Sequence, residues 1–481
     1  MEQPPILENN MLHEEDTICA IASGMGKAAI GIVRISGQDA VSIVDKVFQN
    51  PKGRKLTDLK SYQASYGHIL DPANNQVIDE VIVLVMKGPH TYTTEDCVEI
   101  DCHGGPFVMQ KVMDLLVRNG ARPAEPGEFT KRAFLGGRVD MTEAEAVMDV
   151  INSENDLALS SSLHQLSGNL KGKIQELREK ILHNTAFIEA AIDDPEHYSL
   201  DEFPDELKET VNELQSQIAK LLSTFDDGRR IHEGIKTAIV GRPNVGKSSV
   251  LNMLLGEERA IVTDIAGTTR DTLEEEVSLG GITLKLIDTA GIRETEDTVE
   301  KIGVEKAKKS LEEADLVLFI LDSAEKLSEK DQEIAEQIVG KPTIVLLNKE
   351  DAGQVVGEED VKSLFAKANP FAKDETIPCI STSAKLGNGK EELKKLIEDM
   401  FFAGDVSYND QIYITNSRQK AGLVHASESL AKVCESIDMG VGEDFYTIDL
   451  MAAYESLGDI IGEALEDDLA DKIFKDFCMG K

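Results

Sequence analysis

Positive charge is scarce in this chain. Its 50 Lys and Arg stand against 88 Asp and Glu, a formal net charge of −38 at pH 7. Nucleic-acid binders usually set Lys and Arg against phosphate, so a body this acidic repels RNA at long range. Any RNA contact must come through local basic patches or through a partner. The charge balance bears on solubility and steering, not on fold. Long apolar runs are missing too: no stretch approaches the ~18 uninterrupted apolar residues of a membrane span. The N-terminal MEQPPILENNMLHEEDTICA is acidic and lacks a basic region followed by an apolar run. No secretory signal is expected there, and its opening residues read as a loose tail. The six cysteines (Cys19, Cys97, Cys102, Cys379, Cys434 and Cys478) form no CxxC pair, which argues against a zinc knuckle or a thioredoxin-like site. Scattered thiols suit a reducing, cytoplasmic compartment. Each is expected to be a small buried apolar residue, Cys478 excepted.

What is present is ample core material. A chain of 481 residues, 41% hydrophobic and 29% charged, suits an ordinary soluble protein of several domains. From Asp16 to residue 120 short apolar runs alternate with turns. Ile30-Gly31-Ile32-Val33 and Val81 to Val85 read as strands, and Val108 to Val117 as an amphipathic helix. A loop is expected at Pro89-His90-Thr91-Tyr92-Thr93. Thr142 to Asp193 reads as helical, with Ile174, Leu177, Ile181 and Ile188 on one face and Pro195 as the stop. Helix is expected again from Pro204 to Phe225 and from Tyr408 onward, where Leu450, Leu457, Ile461, Leu465 and Leu469 form an apolar stripe.

Between these helical halves the pattern changes. Ile235–Val240, Ile282–Ile287, Leu316–Leu321, Thr343–Leu347 and Thr376–Ile380 are short apolar runs separated mostly by helix-like segments. That alternation predicts a doubly wound sheet. The expected architecture is multidomain α+β: an N-terminal α+β domain over 1–120, a helical domain over 121–229 and 403–481, and an inserted α/β P-loop GTPase domain over 230–402. A helical stem holding an inserted nucleotide domain has the form of a lever.

The inserted domain carries the chemistry. Gly241-Arg242-Pro243-Asn244-Val245-Gly246-Lys247-Ser248 is GxxxxGKS, between the strand KTAIV and a helix that begins at Ser248-Ser249. Its glycines let backbone N–H groups close on phosphates. Lys247 reaches the β/γ-phosphates and the Ser248 hydroxyl ligates Mg²⁺. A chance glycine-rich turn is the alternative for the loop alone, and the strand and helix leave it little room. Asp288-Thr289-Ala290-Gly291 follows the strand LKLI, so that its Asp can hold Mg²⁺ through water and its Gly can sense the γ-phosphate. Asn348-Lys349-Glu350-Asp351 follows TIVLL, where a carboxylate accepts the N1–H and N2 amino protons of guanine. Adenine has no such donor pair, so the element selects GTP over ATP. Ser383-Ala384-Lys385 follows the last strand and closes over the base. Asp264-Ile265-Ala266-Gly267-Thr268-Thr269-Arg270-Asp271 sits where a first switch belongs, and a Thr there can add a hydroxyl to Mg²⁺.

One catalytic element is absent. Ras-type enzymes place a Gln after DxxG to orient water, and this chain has Ile292 there. A carboxylate between Glu294 and Glu300 is the candidate replacement. A solvated acidic loop is the alternative, which the residues alone favour.

Several passages resemble the MnmE (TrmE) family of tRNA-modification GTPases. They are Asp16-Thr17-Ile18, Gly31-Ile32-Val33-Arg34-Ile35-Ser36-Gly37, His103-Gly104-Gly105-Pro106, Pro126-Gly127-Glu128-Phe129-Thr130-Lys131-Arg132-Ala133-Phe134-Leu135, the first switch, and Phe477-Cys478-Met479-Gly480-Lys481. The resemblance covers nearly the whole chain from Asp16. It implies an N-terminal tetrahydrofolate-binding, dimerising domain in which Arg34, Glu99, Arg138 and Lys481 contact a 5-formyl or 5,10-methylene folate. A basic pair suits glutamyl carboxylates and a carboxylate suits the pterin N–H edge. The resemblance further implies a K⁺ ion held by Asn244 with Thr263, Ile265 and Thr268, and Mg²⁺ held by Ser248 and Thr269. Glu300 would orient the water when two G domains meet. It implies a homodimer joined to an FAD-containing MnmG (GidA)-like partner in a heterotetramer. Together they would place an aminomethyl or carboxymethylaminomethyl group on the wobble uridine of certain tRNAs, with the tRNA held mainly through the partner and no membrane involved. Cys478, beside Lys481, would be a catalytic or positioning thiol, with a packed C-terminal thiol as the alternative.

Two departures stand out. The family's Gly-Arg-Gly-Gly appears here as Gly26-Lys27-Ala28-Ala29, which keeps a charge, loses the planar fork and removes φ > 0 freedom. Its C-terminal Ile appears as Met479, a nearly volume-conserving change. Two other functions fit the nucleotide elements alone: a GTP-dependent ribosome-assembly switch without one-carbon chemistry, and a nucleotide-binding scaffold without turnover. The first should carry a basic RNA-binding module after the G domain, where this chain has acidic helices. Intact Lys247, Ser248, Asp288 and Thr269 weigh against the second.

Overall fold

The computed structural model describes residues 16–197, 203–256, 275–279, 281–287, 311–369, 377–402, 412–442, 444–463, 472–475, 477–478 and 480. Thr263–Asp271, Asp288–Ile292, Glu294–Glu300, Leu465, Leu469, Met479 and Lys481 lie outside them. The chain forms two compact units. The first comprises residues 1–148, 165–212 and 425–481, and the second residues 149–164 and 213–424.

In the first unit, β1 (Ile18–Ile21), β2 (Ile30–Ser36), β3 (Phe48–Gln49), β4 (Gln63–Asp71), β5 (Gln76–Met86), β6 (Cys97–His103) and β7 (Arg122–Pro123) form one sheet, ordered β3-β4-β5-β6-β2-β1-β7. Neighbours are antiparallel except β1 and β7. The two-residue alternation of strands sorts the faces. Val33 and Ile35 of β2 and Val98, Ile100 and Cys102 of β6 are buried with Val41 and Val44 of α1 (Ala40–Val47) and Met109, Val112 and Leu116 of α2 (Pro106–Arg118). Arg34 and Glu99 fall on the other face, and the antiparallel register sets them directly opposite each other. The expected strands at 30–33 and 81–85 and the helix at 108–117 all form, each somewhat longer than its apolar run.

The helical reading of 142–193 resolves into α4 (Met141–Ile151), α5 (Asp156–Leu166) and α6 (Asn169–Asp193), after α3 (Glu128–Leu135). The breaks have local causes. The Asn155 side chain accepts the Ala158 N–H (2.8 Å) and so caps α5. Gly168 takes a left-handed φ of +83° between α5 and α6. Ile174, Leu177, Ile181 and Ile188 are buried as the periodicity predicts. α6 packs against the helix Asp444–Ile461, whose Leu450, Leu457 and Ile461 are buried. The chain continues through α7 (Phe203–Ser223) and α8 (Phe225–Glu233).

In the second unit β8 (Ile235–Val240), β9 (Glu275–Leu279), β10 (Ile282–Ile287), β11 (Leu316–Asp322), β12 (Thr343–Asn348) and β13 (Cys379–Ser381) form a sheet ordered β13-β12-β11-β8-β10-β9. Only β9 is antiparallel to its neighbour. β9 is a strand that the apolar runs do not reveal, because only Val277 and Leu279 alternate inward among acidic residues. One face of the sheet is covered by α9 (Lys247–Leu255) and the helix Lys390–Phe401. The other is covered by the helices Glu329–Gln337 and Glu358–Ala368. With both faces covered, β11 is buried along its whole length, as a central parallel strand should be.

Candidate functional site

The loop between β8 and α9 is shaped by residues that leave ordinary backbone space. Gly241 (φ +154°) and Gly246 (φ +98°) need glycine, and Asn244 (φ +66°) is a type that tolerates the left-handed region. Space also demands glycine at 246. A Cβ there would lie 2.3 Å from Asn348 Nδ2. The loop therefore wraps a small volume with its N–H groups at the N-terminus of α9, where the helix dipole favours an anion. Lys247 Nζ donates to the carbonyls of Gly241 (2.8 Å) and Arg242 (2.9 Å). Burial pushes this ammonium below its ordinary pKa. The loop so presents a partly desolvated cation that an anion would relieve. Ser248, Ser249 and Asn244 are exposed at the loop, while Val245 is buried beneath it.

The guanine-selecting elements are joined to this loop. Asn348 Nδ2 donates to the Val245 carbonyl (2.8 Å), and Asn348 Oδ1 accepts from the Ala384 N–H (3.1 Å). One side chain thus ties together the phosphate loop, the end of β12 and the segment after β13. Ser383 Oγ donates to Asp351 Oδ1 (2.7 Å), which orients the carboxylate expected on guanine. Lys349, at φ +66°, is paired with the buried Asp322 at the end of β11 (2.6 Å). Asp322 and the Arg242 contacts to Glu325 (2.7 Å) and Asp331 (3.6 Å) are supports that the motifs do not reveal. They come from strands and helices distant in sequence, and no spacing announces them. Lys385 is exposed in this arrangement.

The first unit assembles a second cluster. Arg34 Nε and a terminal nitrogen donate to Glu99 Oε1 (2.9 and 2.8 Å), and Arg34 Nη1 donates to the Gly480 carbonyl (3.2 Å). The Arg34 guanidinium lies 5.9 Å from the Tyr92 ring centre and 5.7 Å from that of Phe129. The Arg138 guanidinium lies 5.9 Å from the same Tyr92 ring. The structure so brings together Arg34, Glu99, Arg138 and the residue preceding Lys481, which are far apart in sequence. Beneath them Glu128 accepts Arg122 (2.6 and 2.9 Å) and Arg132 (3.0 Å), and Arg132 reaches Glu95 (3.0 Å). These cations hold the Glu128 carboxyl below the usual carboxylate range against the opposing effect of burial.

The C-terminal residues close against this cluster. A Cβ on Gly480 (φ +85°) would meet the Ile21 carbonyl at 2.4 Å. One on Gly127 would meet the Phe474 carbonyl at 2.5 Å, and the Gly127 N–H donates to the Cys478 carbonyl (3.3 Å). Cys19, Cys97 and Cys102 are buried as expected, whereas Cys379 and Cys434 are only half-buried. Burial pushes the thiols of Cys19 and Cys97 up to about 12 and that of Cys102 up to about 11, which makes them inert packing groups. Cys478 is exposed.

A phosphate-binding loop on a doubly wound sheet, with a guanine-selecting strand end tied to it, defines a P-loop GTPase. The comparisons with known proteins extend this. A family model described as the MnmE helical domain matches residues 141–478, and one described as the GTP-binding protein TrmE N-terminus matches residues 17–138. The tRNA modification GTPase MnmE of Lachnoclostridium phytofermentans is 52% identical over 97% of this chain and 99% of that protein. Those of Thermoanaerobacter pseudethanolicus and Geobacillus thermodenitrificans are 48% and 47% identical, each over 97% of this chain and 99% and 100% of the relative. The chain belongs to the MnmE family of tRNA modification GTPases and is a GTP-hydrolysing enzyme. Among the described residues no helix is long and apolar enough to cross a membrane.

Proposed function

We propose that this enzyme couples GTP hydrolysis to one-carbon transfer onto the wobble uridine of certain tRNAs, with a tetrahydrofolate derivative as the carbon source. The observation that carries the reading is the first-unit cluster. Arg34 occupies Glu99 Oε1 and leaves Oε2 without a partner among the described residues, while Arg138 makes no ion pair among them. An open carboxylate oxygen suits the donor edge of a pterin, and an unpaired guanidinium suits a glutamyl carboxylate. Lys481 follows the Gly480 carbonyl that Arg34 holds, and serves as a further cation for the same ligand. The folate supplies the transferable carbon when bound; the residues named here bind and orient it. Cys478, with its exposed thiol close to the chain end, is the candidate nucleophilic or positioning thiol.

In the second unit, Lys247 and the loop N–H groups would hold phosphates and Asp351 would read guanine. Ser248, Thr269 and Asp288 would hold Mg²⁺, which would offset phosphate charge. Asn244, exposed and left-handed, has a side-chain oxygen, a donor type that suits a monovalent cation. Asn244, Thr263, Ile265 and Thr268 would hold potassium, whose charge would serve as an arginine finger does, and Glu300 would orient the water that Gln orients in Ras-type enzymes. The catalytic state is a meeting of two G domains in a homodimer. An FAD-containing MnmG (GidA)-like partner completes the enzyme in the cytoplasm. That partner supplies the basic surface for tRNA that a chain of net charge −38 lacks.

The alternative, a ribosome-assembly switch, has no use for the first-unit cluster. Titrating 5-formyltetrahydrofolate into the full chain separates the two readings. Saturable binding lost in Glu99→Gln and Arg138→Met supports one-carbon chemistry. A wild-type chain that binds no reduced folate overturns the one-carbon reading.

A further inference from the structure

Tyr92 belongs to none of the motifs above, yet its ring lies near both Arg34 and Arg138. Its ring faces the guanidinium groups of both Arg34 and Arg138, each 5.9 Å from the ring centre. An aromatic ring attracts a guanidinium that lies over it. The ring is not free to swing away. Its hydroxyl lies 2.9 Å from Thr130 Oγ1, a fully buried group of α3, and its body packs against Ile18, Ala20, Ala124 and Phe129. The loop that carries it is pinned on both sides. Thr91 Oγ1 donates to the Glu95 carbonyl (2.6 Å), Thr93 and Ser36 share a hydrogen bond (2.6 Å), and Glu95 is held by Arg132. Arg34 is independently fixed by Glu99 and the Gly480 carbonyl. Among the described residues Arg138 has only this ring to hold its guanidinium.

We propose that Tyr92 is the positioning residue that sets Arg138 beside the Arg34–Glu99 pair, so that Arg138 and the free Glu99 oxygen bind one reduced folate. The proposal rests on the reading of this cluster as a folate site. A ligand with a donor-rich ring and a carboxylate tail then meets Glu99 Oε2 at one end and Arg138 at the other, with less ordering of Arg138 left to do at binding. The hydroxyl aims the ring through Thr130, and the ring face holds the arginine.

The test is calorimetric titration of 5-formyltetrahydrofolate into the full chain as wild type, Tyr92→Phe, Tyr92→Leu, Arg138→Met and the Tyr92→Leu/Arg138→Met double variant. Arg138 is exposed, so Tyr92→Leu is expected to weaken binding about three- to fivefold, and Tyr92→Phe to stay within about twofold of wild type. In the Arg138→Met background the Tyr92→Leu change should cost less than about twofold, because its effect acts through the arginine. If Tyr92→Leu also lowers the melting temperature, Tyr92→Met, which keeps the volume and loses the ring, carries the same expectations. Wild-type affinity in a well-folded Tyr92→Leu chain, or an equal loss with and without Arg138, overturns the proposal and leaves the folate reading intact. A wild-type chain that binds no folate removes both.

Discussion

The nucleotide loop and the first-unit cluster solve the same problem, holding an anionic ligand, by opposite routes. The loop is built from eight consecutive residues, Gly241 to Ser248, and works mainly through backbone N–H groups whose directions follow from three unusual φ angles. The cluster is built from side chains of β2, β6, the loop before β6, the turn after α3 and the C-terminal tail, brought together by strand register and by the seating of Gly480. A local site is sensitive to the backbone of a few positions. A non-local site is sensitive to whatever keeps distant segments in register.

The first contrast to break is charge. Lys247→Ala removes the cation at the loop mouth, and GTP turnover should fall on the order of 10²–10³-fold, while folate affinity in the first unit stays put. A matching loss of folate binding would mean that the two sites are not separate. Next come the glycines. Gly246→Ala puts a methyl against Asn348 and Gly480→Ala puts one against the Ile21 carbonyl, both at positive φ. The same lesion should abolish nucleotide binding in one case and weaken folate binding roughly tenfold or more in the other, each sparing the other ligand. Equilibrium titrations with both ligands on both variants decide this. A smaller effect is expected from Arg34→Lys, which keeps the charge but cannot serve Glu99 and the Gly480 carbonyl with one planar fork. Folate affinity should drop about tenfold, with a higher salt sensitivity than wild type.

The smallest effect is in pH. In the second unit burial pushes His232 down to about 4, whereas a free imidazole titrates near ~6.5. Between those values the unfolded chain binds more protons, so this stability is present above ~6.5 and is lost as pH falls toward about 4. Glu154 runs the other way. Burial, with a hydrogen bond to Glu276, raises it to about 7 from an unfolded value near ~4.3, so its contribution declines as pH rises through that window. The two slopes oppose each other. Heat-induced release of a fluorescent GDP analogue should show a higher melting temperature for Glu154→Gln than for wild type at pH 8, with no gain near pH 4.5. Parallel profiles at both pH values would falsify this assignment.

The same contrast governs how much of the molecule is legible in its amino-acid sequence. GxxxxGKS, NKxD and Ser383-Ala384-Lys385 can be read because each function sits inside one short stretch flanked by a strand or helix, and the parallel strands stand out as apolar runs. Resemblance points to Arg34, Glu99 and Arg138, but composition and spacing do not, since each alone is an ordinary surface charge. Their meeting depends on the pairing of Arg34 with Glu99 in antiparallel register. Tyr92 and Asp322 escape a reading of motifs for the same reason, as each acts on a residue remote in the chain. β9 escapes it because a sheet-edge strand needs only Val277 and Leu279 to face inward.

The proposed catalysis of GTP hydrolysis uses a monovalent cation where a Ras-type enzyme uses other groups, with Asn244 as its proposed ligand within the described residues. GTP turnover of the purified chain in KCl and in NaCl at equal ionic strength, for wild type and Asn244→Ala, tests it directly. Turnover is predicted to be much faster in potassium, with that advantage lost in Asn244→Ala. Equal rates in the two salts would contradict it.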